Sequence, residues 1–426
     1  MNILELRQSI QNGKFDKEFI QLYGETEVAS KRYLEAIDEF ENLYGSKENV
    51  RLFSAPGRTE ISGNHTDHQH GLVIAGSVNL DIIAVVAQNQ ENIVRIKSKG
   101  YPMDQVELDD LEIKENEKGR ARSLVRGVHA AFKNDGYNVG GFDAYTTSNV
   151  LKGSGLSSSA AFEVLVSNVV NGLFNNASVD AVTIAKYSQF AEREYFGKPC
   201  GLLDQMASSV GGFTYADFND PKNPIVEKIS LDLSASNHTL CVVDTGGNHA
   251  NLTGDYADIT LECKAVSNFL GVEFLRDANE NEFYKNLAAI REKCGERAIL
   301  RAMHVFNENK RVLTQKSALK RGDFNTFFAC VKRSGESSYD LLQNIYSASN
   351  PKNQAISLAL ALTKQFLNGR GAYRVHGGGF AGTIQCYIPN YMYDEYKTMI
   401  ESVFGEGACV KLFVRKYGGY ELKGAN

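Results

Sequence analysis

The chain contains no apolar run of about 18 or more residues, so nothing in it reads as a transmembrane span. Its first ten residues, MNILELRQSI, lack a basic region followed by an apolar one, and no secretory signal is expected. The seven cysteines are scattered and odd in number. No C-x-x-C pair occurs, which argues against a disulfide framework or a zinc ribbon. Reduced thiols in a cytoplasmic protein are the expectation. A strong charge imbalance is also missing. With 46 basic and 51 acidic residues the formal charge is -5, which gives no reason to expect nucleic acid or an anionic membrane as partner. Repeats and low-complexity tracts are absent too.

What is present is ordinary soluble usage, 43% apolar and 23% charged. At 426 residues, two domains are the default. Residues 1–48 carry apolar positions at helical spacing: Phe15, Phe19, Ile20 and Tyr23, then Tyr33, Leu34, Ile37 and Phe40. Short β-rich runs follow at Arg51–Ser54, Leu72–Ala75, Asp81–Ala87 and Ile93–Lys97. A helix is expected near Arg122–Phe132, a strand at Phe142–Ser148, and helices at about Ser159–Leu173 and Val179–Tyr195. Gly211-Gly212 and the polar Asp217–Asn223 mark a domain seam. Beyond it, Thr239–Asp244 reads as a strand and 282–347 as helical. The strands Gly382–Ile388 and Val410–Arg415 flank a helix at Asn390–Val403. The class is α+β, with domains expected at 1–214 and 215–426.

Three segments carry chemistry. The first, Pro56 to His68, reads P-G-R-T-E-I-S-G-N-H-T-D-H: a polar loop between apolar strands, the usual setting for a ligand. The second, Leu151 to Ala161, is a glycine–serine turn between a strand and a helix. A helix N-terminus offers unpaired N–H groups and the positive end of its dipole, which suits phosphate. The Gly-Lys-Ser/Thr ending of a Walker A loop is missing, and Ser158 stands where a dinucleotide fingerprint needs its third glycine. An ordinary Ser-capped helix would look the same. The third, Arg374 to Gly382, has four glycines in six residues, which favours close approach of the backbone to a ligand or another segment; a tight corner is the alternative. Between the last two lies Glu192 and, after Gly201, Asp204. Asp204 is either a salt-bridged structural group or a catalytic base. Glu192, late in a helix, is by itself an ordinary solvated glutamate.

In this order the segments resemble the sugar-kinase branch of the GHMP kinases, and within it the galactokinases. Pro56–His68 is similar to G-R-V/T-N-L-I-G-E-H-T-D-Y, and Gly153–Ala160 to P-x-G-x-G-L-S-S-S-A. Arg374–Gly382 resembles R-M-T-G-G-G-F-G-G. The segment F-G-K-P-C-G-L-L-D-Q, at 196–205, resembles the stretch that ends in the family's catalytic aspartate. Arg301–Val305 and Arg321–Phe324 resemble its helical region, so the likeness runs from about 50 to 415. It implies two domains: an N-terminal mixed sheet with helices, and C-terminal helices packed on an antiparallel sheet. It also implies ATP and Mg²⁺, and phosphorylation of galactose at its anomeric hydroxyl.

Carried over by residue, Asp204 matches the base and Arg58 the arginine beside it and the transferring phosphoryl. The phosphate loop matches at Gly153, Gly155, Leu156, Ser157, Ser158, Ser159 and Ala160. Glu192 with Ser158 or Ser159 matches the Mg²⁺ site, and Gly377, Gly378 and Gly379 the third motif. Asn64, His65, Asp67, Gly201 and Tyr256 match the sugar site. The expected partners are a small sugar and ATP, on a monomer or weak homodimer.

Several positions depart from the family pattern. Asn64 stands in place of a glutamate that in the family binds the sugar's 6-hydroxyl, and Glu60 in place of an asparagine. His68 replaces a tyrosine and Leu151 a proline, while His376 and Ala381 alter the third motif. Asparagine at 64 would tolerate a carboxylate at C6, so galacturonate or N-acetylgalactosamine are alternatives to galactose. Asp67-His68-Gln69 resembles plant galacturonokinases, whose loop otherwise differs. Two other classes compete: a metal-dependent hydrolase built on His65, Asp67, His68 and His70, and a non-catalytic sugar and ATP sensor on the same fold.

Overall fold

The computed structural model describes residues 1–150, 155–247 and 252–424. The N-terminal segment is helical, as its spacing predicts: α1 (Ile3–Gln11), α2 (Asp16–Tyr23) and α3 (Glu27–Tyr44). Asn2 and Glu5 close a capping box on α1. Phe15, Phe19, Tyr33, Ile37 and Phe40 are drawn inward because together they cover one face of a sheet through Leu52, Ile83, Val85 and Tyr145. Polar contacts also cross this layer. Arg32 of α3 pairs with the buried Asp81 and donates to the carbonyls of Asp81 and Thr147, both at 3.0 Å. Asp81 also accepts from Tyr23 at 2.7 Å and pairs with Arg415, so its charge is compensated on several sides.

That sheet starts with β1 (Arg51–Ser62), β2 (Leu72–Gln88), β3 (Ile93–Ser98) and β4 (Met103–Glu107). After α4 (Ala121–Asn134) come β5 (Phe142–Ser148), α5 (Ser158–Asn175), α6 (Ala181–Phe190) and α7 (Leu203–Val210), then β6 (Phe213–Asp217) and β7 (Ile225–Ile229). A second sheet begins with β8 (His238–Asp244). Helices α8 (Thr253–Phe269), α9 (Glu280–Lys285), α10 (Leu287–Cys294), α11 (Glu296–Arg321), α12 (Phe324–Ser337) and α13 (Ala355–Leu367) follow. The chain closes with β9 (Ala372–His376), β10 (Thr383–Pro389), α14 (Tyr393–Phe404), β11 (Cys409–Leu412) and β12 (Tyr420–Leu422).

The first sheet is mixed. Its main path is β12-β1-β2-β5-β3-β4, with β3 parallel to β5 and the other pairs antiparallel; β6 and β7 branch from β2. Its second face is covered by α4 and α5 through Val125, Val128, Val164 and Val169. The second sheet is antiparallel, in the order β11-β8-β10-β9. It packs on α13 and α14 through Ile356, Leu360, Tyr396 and Ile400.

The fold is therefore α+β, with a mixed and an antiparallel sheet. The seam expected after 214 falls inside β6, which pairs with β2, so the hand-over between sheets comes after Ile229. β12 then returns to the first sheet, because Leu422 completes the apolar layer under the N-terminal helices. Among the described residues no helix is long and apolar enough to cross a membrane.

One local expectation changes. Pro56 to His68 is not a loop throughout. β1 runs on to Ser62 beside β2, with register irregularities at Pro56/Arg58 and Glu60/Ser62. A proline has no N–H for the ladder, and a bulge is the ordinary way to keep it in a strand. Arg58 thus projects from a strand, and only Gly63 to Gly71 forms the connecting loop.

Candidate functional site

Arg58, on β1 between the two bulges, reaches Asp204 in the first turn of α7. Its Nε donates to Asp204 Oδ1 at 2.6 Å, and a second nitrogen donates to the carbonyl of Gly155. Ser157 donates to the other carboxylate oxygen, Oδ2, at 2.6 Å. The helix carrying Asp204 is fixed by Ser208, which donates to the carbonyl of Pro56 at 2.7 Å, and by Ser77, which donates to that of Ala207 at 2.7 Å. Burial pushes the Asp204 carboxyl up. The Arg58 guanidinium and the hydrogen bonds from Ser157 and Arg58 outweigh this and hold it below the usual carboxylate range. Asp204 is therefore a free carboxylate at neutral pH.

Ser157 stands just before α5 with φ 58°, the left-handed conformation a non-glycine residue adopts at a cost. Its carbonyl accepts from the Ala161 N–H at 3.1 Å, which leaves the N–H groups of Ser158, Ser159 and Ala160 ahead of the first helical hydrogen bond. Ser158 and Ser159 line a cavity of about 1100 Å³ together with Ser98, Tyr101, Thr147, Phe162 and Phe196. Leu156 is fully buried beneath this turn. Gly153 lies outside the described residues.

Glu192 is not the solvated glutamate its helical position implies. The helix widens into a π turn over Ala191–Phe196, and Glu192 is 2% exposed. Its Oε1 accepts from Ser159 at 3.0 Å and from Lys198 at 2.8 Å; its Oε2 accepts from Gln205 at 2.7 Å. Ser159, rather than Ser158, is the serine in contact with it. The same Gln205 amide donates to the buried Glu163 at 3.1 Å, whose other oxygen has no partner among the described residues. Burial, then the neighbouring Glu192 charge, pushes Glu163 well above the usual range. This donor set is made of hard oxygens, which fits Mg²⁺.

Asp67 lies in the loop after β1. Its carboxylate takes no side-chain hydrogen bond among the described residues, and burial pushes its pKa up against the opposing charge of His65. Gly201 approaches it so closely that a Cβ there would sit 2.5 Å from Asp67 Oδ2. Asp67, Gly201 and Asp204 thus share one wall.

Asn64 does not. It is fully buried, and all of its amide capacity is spent within the protein. Its Nδ2 donates to Glu60 Oε1 at 3.0 Å and to the Gly377 carbonyl at 2.7 Å; its Oδ1 accepts from Ser338 at 3.2 Å and Asn344 at 3.0 Å. Glu60 in turn pairs with the buried Arg374. Asn64 therefore latches the loop to the third glycine segment instead of facing a ligand. His65 does similar work, with its Nε2 2.8 Å from the Gly378 carbonyl. Tyr256 donates to the Gly379 carbonyl at 2.9 Å. The glycines are needed because side chains come this close: a Cβ on Gly378 would sit 2.6 Å from the Tyr256 ring.

Two buried residues of α11, one turn apart, secure the loop from behind. His304 donates from Nε2 to the Asn64 carbonyl at 2.9 Å, with Ser337 2.9 Å from Nδ1. Glu308 accepts from the Gly63 N–H at 3.2 Å and from Ser334 at 2.7 Å. Sequence reading missed His304, Glu308, Glu163, Gln205 and Lys198 as contributors. The i, i+4 spacings of His304 with Glu308 and of Ser159 with Glu163 were the available signals. The histidine-rich metal cluster does not form. His70 stacks on Phe274, ring centroids 3.5 Å apart, and among the described residues no metal-binding group of three or more His, Cys, Asp or Glu occurs.

The matching family models agree with this layout. The description "GHMP kinases N terminal domain" matches residues 123–212, and "Galactokinase galactose-binding signature" matches 38–88. The chain is 30% identical over 370 residues to the galactokinase of Glaesserella parasuis serovar 5, covering 85% of this chain and 91% of that protein. It is 30% identical over 369 residues to that of Streptomyces coelicolor, covering 86% and 92%. With the galactokinase of Clostridium tetani it shares 27% over 410 residues, covering 95% of each. In fold it resembles the crystal structure of Lactococcus lactis galactokinase complexed with galactose, with TM-score 0.74 and 23% identity, covering 90% of this chain and 98% of that one. Methanococcus jannaschii mevalonate kinase shares the fold at TM-score 0.61 and 14% identity, covering 86% and 99%.

Proposed function

The chain belongs to the galactokinase family, and we propose from that premise that it transfers the γ-phosphoryl group of ATP to the anomeric hydroxyl of galactose. The observation that carries this reading is the Arg58–Asp204–Ser157 contact at the start of α5. A carboxylate, a cation and a helix N-terminus meeting at one point support it.

Asp204 accepts the proton of the sugar hydroxyl as the O–P bond forms. Arg58 keeps that carboxylate ionised and faces the charge spread over the phosphoryl oxygens. The N–H groups at Ser158–Ala160 hold the nucleotide phosphates, and the adjoining cavity takes the purine and ribose. Glu192 and Ser159 would hold Mg²⁺, which neutralises phosphate charge when bound. Asp67, beside Gly201, accepts hydrogen bonds from sugar hydroxyls. His65 and Tyr256 shape the rim of that site through their bonds to the glycine carbonyls. A non-catalytic sensor is disfavoured because Arg58, Asp204 and Ser157 are assembled as one contact.

A second substrate, galacturonate, has one observation in its favour. Asn64 carries no charge and the neighbouring carboxylate of Glu60 is paired with the buried Arg374, so this corner sets no unpaired charge against a 6-carboxylate. A coupled ADP-release assay over galactose, N-acetylgalactosamine, galacturonate, arabinose and glucose decides between them. Phosphorus NMR of the product then reads the position of attack. Turnover with none of these sugars would overturn the kinase reading.

A further inference from the structure

The site holds a second cation that the mechanism above leaves unused. Lys198 donates to Glu192 Oε1 at 2.8 Å, the same oxygen that accepts from Ser159. The two partners differ sharply in exposure. The Glu192 side chain is 2% exposed and that of Lys198 55%. A buried carboxylate needs a counter-charge, and Lys198 supplies it from a stem that solvent leaves free to move. The lysine follows Gly197 (φ 84°) and precedes Pro199, in the segment that joins the π turn to the helix of Asp204. Lys198 also lies within electrostatic reach of Asp204.

These contacts form one chain: Lys198–Glu192–Ser159 on one side, Ser157–Asp204–Arg58 on the other. A cation stands at each end, and the phosphate-binding turn lies between them. A divalent cation and an ammonium cannot both neutralise one carboxylate oxygen without repelling each other.

Resting on the kinase reading, we propose that Lys198 is a catalytic phosphate-contacting residue. It neutralises Glu192 in the empty enzyme and passes to the transferring phosphoryl group when that carboxylate turns to a divalent cation.

Lys198→Met separates this from a merely structural role, because the two readouts move in opposite directions. Without nucleotide, removal of the competing ammonium tightens Mn²⁺ binding by ~3–10-fold, read by electron paramagnetic resonance titration. Turnover with Mg·ATP falls by ~10–100-fold, with little change in KM for the sugar. Lys198→Arg, which keeps the charge, retains most of kcat and the wild-type Mn²⁺ affinity. Circular dichroism confirms that each variant is folded. Unchanged or weaker Mn²⁺ binding in Lys198→Met, or an unchanged kcat, overturns the proposal. If the wild-type chain phosphorylates no sugar, the kinase reading fails, while the Mn²⁺ titration still tests the competition at Glu192.

Discussion

Replacing Arg58 by methionine removes a cation 2.6 Å from Asp204, the proposed base, while keeping most of the side-chain volume. Two unit charges at about 4 Å interact by ~4 kcal/mol at an effective dielectric of about 20. Asp204 keeps 36% of its side-chain surface exposed, so solvent screens part of that energy. A loss of ~1–3 kcal/mol in the stability of the charged carboxylate follows. With Arg58 present, Asp204 is ionised down to below its ordinary range. Without it, burial pushes the carboxyl up. Activity needs the deprotonated base, so it rises as pH rises through this pKa, and the acid limb of the kcat/KM profile moves to higher pH in Arg58→Met. On top of that shift, kcat at the plateau falls by ~10²–10³-fold, the usual cost of deleting one preorganised charge at a developing oxyanion. The assay is coupled ADP release from pH 4 to 8, with the sugar Kd measured by calorimetry. Arg58→Lys restores the position of the limb but only part of the plateau, because an ammonium cannot reproduce the guanidinium's two contacts. A wild-type profile in Arg58→Met, or a change confined to KM, would refute the reasoning.

Asp204→Asn keeps the shape of the site and removes the base; kcat falls by ~10³-fold or more while calorimetry still detects sugar binding, and near-normal turnover would contradict the assignment. Asn64→Asp sets a second carboxylate beside Glu60 at the 3.0 Å contact, so thermal unfolding should show a loss of ~2–4 kcal/mol, and an unchanged Tm would show that the latch is dispensable. The loop also senses acid. Burial lowers His304 to about 4, so its neutral form stabilises the fold above pH ~6.5 and this is lost between about 6.5 and 4. Glu308 is held at about 2, against burial, by Arg311 and His304; its contribution is present above pH ~4.5 and fades between about 4.5 and 2. The Tm of wild type should therefore fall from pH 7 to 4, and His304→Gln should flatten that decline; equal slopes would exclude His304 as its source.

The motifs were legible because their chemistry is local. A glycine–serine turn before a helix, a loop dense in polar residues and a run of glycines each leave a mark within a few positions. Arg58, Asp67, Ser157 and Asp204 could be named from such marks. Periodicity also located most elements around them, including the N-terminal helices, since Phe15, Phe19, Tyr33 and Phe40 repeat at the spacing of one helical face. It missed the bulged continuation of β1 through Pro56, because the long partner β2 imposes that strand and the local residues disfavour it.

Roles that depend on what lies opposite were not legible. Asn64 reads as a ligand group, yet Gly377, Ser338 and Asn344, some 270 to 310 positions away, use up its amide. Glu192 reads as a surface glutamate, but a π turn and Gln205 bury it. The sequence by itself determined the family, the order of the motifs and the residue types available for phosphoryl transfer. Tertiary structure alone decided which of those residues meet around Asp204 and which are consumed in holding the segments together. A side chain's hydrogen-bonding capacity is fixed by its chemistry, but whether any is left for a ligand depends on the partners that folding brings within about 3 Å.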